Sequence, residues 1–201
     1  MQHFKAEPCL LVYMFNEREI ISKVIKGDMK AFDLLVKQYE RLVYYVIYKL
    51  VDNKEDVEDI SQEVFIRIYK SLNDFAYQSK LSTWIAKVAY SITINHLRKS
   101  KQNWFSEYPE DIDNYHFTED SPESAMVKKD ISAYVNHLIA QMPYQYKTVL
   151  TLYHLNEFSY HEIQEITEWP EGTIKSYLFR GRKLLKEKLE EYLKKDNHEK
   201  A

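Results

Sequence analysis

The sequence predicts an all-α protein, two small helical domains joined by a flexible acidic linker. Three observations carry this reading. Apolar residues recur at three- and four-residue steps from Glu17 to Arg98, and again from about Lys128 onward. Only three Gly and five Pro occur, too few for the many turns of a β-sandwich or barrel. Between the periodic stretches, residues 101–127 lose the pattern and carry seven acidic side chains, one basic and two prolines. That composition suits an extended or disordered tether.

The elements follow in order. Ile20, Ile21, Val24 and Ile25 form a short first stripe, broken at Gly27-Asp28. Asp28 is a candidate N-cap for a second helix through Phe32, Leu35, Tyr39, Leu42, Val43 and Val46. Asp52-Asn53 reads as a turn. A third helix places Val57, Ile60, Val64, Ile68 and Leu72 on one face, with Asp56, Asp59, Gln62, Glu63, Arg67 and Lys70 on the rest. Residues 73–82 read as a loop with Ser82 as N-cap, and a fourth helix runs from about Thr83 to Lys99. Beyond the linker, Ile131, Tyr134, Val135, Leu138 and Met142 mark a helix that stops at Pro143. A further apolar run covers Val149, Leu150, Leu152 and Leu155. Ser159 and Glu162 then have the spacing of a capping box.

The net charge of −3 is unevenly spread. Residues 101–127 alone contribute −6, so the two flanks together are slightly positive. The single Cys9 excludes an internal disulfide and a multi-cysteine zinc site, and favours a reducing, cytoplasmic setting. The apolar run Cys9–Phe15 is too short to span a bilayer, and it lacks a signal peptide's basic start, so no membrane insertion is expected.

Six of the basic side chains fall between Lys175 and Lys188. Ser159–Thr167 reads as a short helix, Glu168-Trp169 as a turn and Pro170 as the first residue of a longer helix. This is the helix-turn-helix arrangement, whose second helix enters the major groove of DNA. On a helical wheel Ile174, Leu178, Gly181, Leu185 and Leu189 share one side, flanked by Tyr177 and Leu184. Lys175, Ser176, Phe179, Arg180, Arg182, Lys183 and Lys186 share the other. A solvated Lys/Arg face is the plain alternative. Phe179 speaks against it, because a ring in mid-polar face has no structural reason but suits a thymine methyl. Gly172, beside Thr173 in the first turn, would let backbone amides approach a phosphate.

Catalysis finds no support. The histidines do not form H-E-x-x-H, and no nucleophile elbow, P-loop or GxGxxG occurs. No catalytic residue, metal ligand, cofactor or small-molecule substrate is expected.

Four stretches in register, GDMKAFDLLVKQYERLVYYV, DVEDISQEVFIRIYKSLNDF, KLSTWIAKVAYSITINHLRK and LTLYHLNEFSYHEIQEITEWPEGTIKSYLFRGRKLL, resemble a bacterial extracytoplasmic-function (ECF) sigma factor. The resemblance covers about residues 17–190. It implies an N-terminal extension over 1–16, sigma region 2 over 17–100, the acidic linker over 101–127, and sigma region 4 over 128–195. Such a factor directs core RNA polymerase to specific promoters and helps open the −10 element. The alternative is a stand-alone helix-turn-helix regulator, which leaves the first domain unexplained.

The resemblance also assigns residues. Asp56, Asp59, Gln62, Glu63 and Arg67 would dock on the clamp helices of the polymerase's largest subunit, and the flap is a second expected polymerase contact. Tyr77, Ser79 and Lys80 in the loop, with Trp84, Lys87, Ser91, Asn95, Arg98 and Lys99 on the next helix, would engage the −10 element. The loop holds a base flipped from its strand. Tyr77 and Trp84 could stack on it, and Trp84 suits the core equally. Lys87 and Val88 stand where housekeeping sigma factors have a tryptophan pair, and Ser91 stands where several relatives have Asn. Gly172, Thr173, Lys175, Ser176, Phe179, Arg180, Arg182 and Lys183 would engage the −35 element. Lys175 replaces a more usual Arg, which removes a bidentate fork, and Tyr177 also replaces an Arg. The linker would thread toward the polymerase cleft. An anti-sigma factor is a common partner in the family.

Overall fold

The computed structural model describes residues 16–51, 53–100 and 131–199. The extension over 1–15 and the acidic linker lie outside the described residues. Among the described residues the chain is helical and has no strand.

The first unit holds α1 (Glu17–Ile25), α2 (Met29–Tyr48), α3 (Lys54–Ser71) and α4 (Leu81–Ser100). Asn16 caps α1, its side chain accepting from the Glu19 amide. The chain leaves α1 through Gly27, whose φ of +89° is open to glycine at little cost. Asp28 then caps α2 as expected, accepting from the Lys30 and Ala31 amides at 2.9 and 3.2 Å. Tyr39 ties α1 to α2 by donating to Glu17 at 2.7 Å, and burial together with that carboxylate pushes its hydroxyl above the ordinary tyrosine range. On α3, Val57, Ile60, Val64 and Ile68 all point inward, followed by the buried Leu72. Each such side chain contributes about 1.5–3 kcal/mol of transfer free energy, which offsets the entropy of ordering the helix.

One boundary differs from the sequence reading. A single 3₁₀ turn (Leu72–Asp74) follows α3, and α4 begins at Leu81, so Ser82 lies inside the first turn and caps nothing. The apolar Leu81 is buried and draws the chain into the helix two residues early.

The second unit holds α5 (Ile131–Gln141), α6 (Tyr144–Leu150), one π-helical turn (Thr151–Leu155), α7 (Tyr160–Thr167) and α8 (Glu171–Glu199). Pro143 separates α5 from α6. Of the apolar runs in this unit, Ile131 and Leu155 are about half exposed. The capping box forms in full: Glu162 accepts from the Ser159 amide and hydroxyl, and Ser159 accepts from the Glu162 amide. Pro170 sits one residue ahead of α8, where its carbonyl accepts from the Ile174 amide, rather than inside the helix. Helix α8 runs to Glu199. Gly181 lets α8 lie close on α6, since a Cβ there would come within 3.2 Å of Leu150.

The two units do not stand apart. One continuous core runs from Ile21 to Leu178, and α4 packs directly against α7.

Candidate nucleic-acid interface

Helix α8 positions its two faces as the wheel predicts. Ile174, Leu178 and Gly181 are buried, and Tyr177 packs edge-on against Tyr146 and Trp169. On the opposite side Phe179 is 70 % exposed, the most exposed large apolar side chain among the described residues. Lys175, Arg182 and Lys183 are exposed beside it, with Ser176, Arg180 and Thr173 half-buried. A Cβ at Gly172 would meet open space, so the first turn is unobstructed.

Several cations on this face are already held. Lys175 pairs with Glu171 at 2.6 Å and lies 5.5 Å over the Tyr160 ring; the carboxylate raises its ammonium pKa. Arg182 lies 4.8 Å over the Tyr153 ring and donates to His154 Nε2 at 3.0 Å. Burial and that guanidinium lower the His154 pKa, so the imidazole is kept neutral as an acceptor. Glu171, Tyr160, Tyr153 and His154 were not legible as partners. Glu171 alone had a local signal, its i,i+4 spacing to Lys175.

On the first unit the two candidate rings divide. Trp84 is half-buried and packs on Phe75 at 5.5 Å. Tyr77 is 49 % exposed, holds a left-handed φ of +56°, and sits between Phe75 at 4.8 Å and the Arg18 guanidinium at 5.5 Å. Left-handed backbone at a bulky residue costs about 1–2 kcal/mol, and here the loop 75–80 turns the ring outward. Ser79 is half-buried and Lys80 exposed in the same loop.

Four of the remaining −10 candidates share one face of α4, which the second unit borders. Lys87, Ser91, Asn95 and Arg98 line a cleft of about 200 Å³ whose other wall is Tyr144, Glu168 and Trp169. Lys87 pairs with Glu168 at 3.1 Å, and Tyr90 meets the Trp169 ring edge-on at 6.2 Å. One turn earlier, Lys80 pairs with Glu162 at 3.0 Å and Thr83 donates to the same oxygen at 3.3 Å. Burial alone would raise the Glu162 pKa, but the Ser159 hydrogen bonds and the Lys80 ammonium hold it at about 2. Burial also pushes Tyr144 up to about 12. Lys99, at the far end of α4, is exposed like these four candidates but lies outside the cleft.

On α3, Asp59, Gln62, Glu63 and Arg67 are exposed on the side opposite the apolar stripe. Asp56 is half-buried, its carboxylate 3.8 Å from His96 of α4. No cluster of His, Cys, Asp and Glu suited to a metal occurs among the described residues. Among the described residues no helix is long and apolar enough to cross a membrane.

An all-α chain with a basic helix-turn-helix on a second helical unit is, as a class, a DNA-binding protein of transcription. The family description Sigma-70 region 2 matches residues 35–103, and Sigma-70 region 4 matches residues 132–185. The RNA polymerase sigma-H factor of Pseudomonas aeruginosa is 32 % identical over 186 residues, 89 % of this chain and 96 % of that protein. The ECF RNA polymerase sigma factor SigW of Bacillus subtilis is 35 % identical, covering 84 % of this chain and 94 % of that protein. Among solved structures, the sigma factor RpoE of Bartonella quintana, in complex with the anti-sigma factor NepR, superposes with a TM-score of 0.61 at 18 % identity. The match covers 80 % of this chain and 98 % of that one, and shows the same fold. The chain belongs to the ECF sigma factors, the subunits that direct core RNA polymerase to specific promoters and help open the −10 element. A stand-alone helix-turn-helix regulator would have no reason to carry region 2, and that alternative is not favoured.

Proposed function

We propose that this factor reads the −35 element with α8 and the −10 element with α4 and the loop before it, while α3 docks on the clamp helices of the polymerase's largest subunit. Lys175, Ser176, Phe179 and Arg180 take the base-facing positions on α8, with Arg182, Lys183 and the Gly172-Thr173 amides on phosphate. Tyr77, Ser79, Lys80 and Trp84 surround the flipped base; Lys87, Ser91, Asn95, Arg98 and Lys99 contact the duplex upstream of it. The flap is the region 4 contact on the polymerase. The factor itself catalyses nothing; the polymerase supplies the chemistry. It acts in the cytoplasm, and an anti-sigma factor is its natural restraint, as NepR partners the Bartonella protein.

The observation that carries the −35 assignment is Phe179, a ring held in solvent on a cationic helix face. Nothing in the fold uses it. A thymine methyl in the major groove would.

The packing of α4 on α7 adds a requirement. The two promoter elements lie about 25 base pairs apart, or about 85 Å of duplex at 3.4 Å per pair. Helix α4 is only about 30 Å long, and the second unit is salt-bridged to it. The units therefore part before both elements are engaged, and the described arrangement is that of the factor without promoter.

Run-off transcription with core polymerase on genomic DNA tests the assignment. Selected start sites share −35 and −10 sequences, and Phe179→Ala or Arg180→Ala relaxes discrimination at one −35 position by about 1–3 kcal/mol. Promoter selection unchanged by both substitutions would refute the reading.

A further inference from the structure

Tyrosines aside, every buried polar side chain among the described residues is a threonine: Thr83, Thr93, Thr148, Thr151 and Thr167. Three of them have a partner. Thr93 donates to the Ala89 carbonyl and Thr167 to the Ile163 carbonyl, both at 2.7 Å and one helical turn back. Thr83 donates to Glu162. Even the less buried Ser61 and Ser71 bond to the turn before them. Thr148 and Thr151 break this pattern. They are 3 % and 2 % exposed, and neither hydroxyl has a partner among the described residues.

Both lie where the second unit meets the first. Thr148 on α6 and Thr151 at the start of the π-helical turn line a cavity of about 10 Å³ with Val46, Lys49 and Leu50 of α2 and Tyr90 of α4. That volume is at the lower limit for one water molecule, and the aliphatic walls offer it no hydrogen bond. Lys49 has its ammonium engaged elsewhere, donating to Asn136 at 2.9 Å and lying over the Tyr48 ring. Burial lowers its pKa, so the same packing strips water from this cation.

A hydroxyl that leaves water without gaining a partner opposes the packing that buries it. Thr148 and Thr151 therefore act against the Lys80–Glu162 and Lys87–Glu168 pairs at the same junction. Shape does not require them, since valine has the same branching without the hydroxyl. When the units part, both hydroxyls regain water. We propose that Thr148 and Thr151 are positioning residues that keep the packing of the two units weak, so that polymerase and promoter separate them. This rests on the proposed parting of the units during promoter engagement.

The test follows the distance between the units in the full-length factor. Cys9→Ser removes the single cysteine. Lys26→Cys and Glu187→Cys, at exposed positions, then take a donor and an acceptor dye, one on each unit. Energy transfer is read as core polymerase and then promoter DNA are added, with promoter opening followed in parallel. Combined Thr148→Val and Thr151→Val shifts the balance toward the packed form by on the order of tenfold per hydroxyl. More polymerase is then needed to lose energy transfer, and opening slows. The valine chain melts no lower than the parent, and Thr148→Ser with Thr151→Ser, which keeps both hydroxyls, parts like the parent. Parting of the valine chain as readily as the parent overturns the proposal, as does a serine chain that behaves like the valine chain. Easier parting or a lower melting point would mean that a water joins the hydroxyls and holds the units together, and overturns it equally. If the parent's dyes stay close while the promoter opens, the parting itself fails, whatever the valine chain does, and the proposal fails with it.

Discussion

The two basic surfaces of this factor stand in opposite conditions. The face of α8 around Phe179 is open to solvent, whereas the exposed face of α4 around Lys87 and Ser91 forms one wall of a cleft whose other wall includes Trp169 and Glu168 of the second unit. Both are built alike, cations on one side of a helix whose other side enters the core. What separates them is what lies across from them. The α8 cations are held by neighbours within their own unit, Glu171, Tyr160, Tyr153 and His154. Lys87 of α4, and Lys80 just ahead of that helix, are held by carboxylates of the other unit. A surface held from within its own unit keeps its partners wherever the unit goes. A surface held from across an interface is released when the units part.

The most severe way to break this contrast is to make the interface permanent. Carbodiimide couples a lysine to a carboxylate already in contact, and Lys80–Glu162 and Lys87–Glu168 meet at 3.0 and 3.1 Å. Mass spectrometry of the free protein should find both cross-linked peptide pairs. The cross-linked monomer should fail to open a promoter with core polymerase, while Glu162→Gln with Glu168→Gln, which cannot couple there, retains opening after the same treatment. Full opening by the cross-linked form would show that the units need not part.

Acid acts on the same interface. Glu162 titrates near 2 in the folded protein against an ordinary 4.5, so its contribution is fully present above about pH 4.5 and is lost as pH falls toward 2. The linked stability is on the order of 3 kcal/mol, divided between the capping box and the Lys80 bridge. A pH series of denaturant melts should fall over that window. Lys80→Ala should remove part of the slope, while Ser159→Ala with Lys80→Ala removes most of it. A slope indifferent to both would mean that other carboxylates carry it.

Most of the fold was legible because helical periodicity states which face of a helix is apolar. The stripe from Val57 to Ile68, the Asp28 cap, the Ser159–Glu162 box and the outward Phe179 all follow from residues a few positions apart. The partner opposite each face was not legible. Glu162 already had a complete local role in its capping box, and its second role, toward Lys80 and Thr83, joins residues about 80 positions distant. The same holds for Trp169, whose contact with Tyr90 has no trace in spacing. The π-helical turn that brings His154 to Arg182 departs from the 3.6-residue period on which the reading depends. Sequence thus predicted two units on a tether, and packing between them had to be seen.

The mildest test bears on Glu168, where turn geometry and interface charge meet in one residue. Its φ of +63° places it in the left-handed region, at a cost of about 1–2 kcal/mol for a side chain with a Cβ. Its bridge to Lys87 joins two largely exposed groups and contributes about 0.2–1 kcal/mol. Glu168→Ala keeps the backbone cost and loses the bridge, so it destabilises by the smaller figure. Glu168→Gly loses both, and relief of the backbone offsets the lost bridge and the added freedom of the unfolded chain. The Gly variant should therefore melt above the Ala variant by roughly 0.5–1 kcal/mol in free energy, with the turn between α7 and α8 intact. Both variants should open a promoter slightly faster than the parent, because each removes one restraint on α4. If the parent opens fastest, the carboxylate is serving the open complex and not the closed packing.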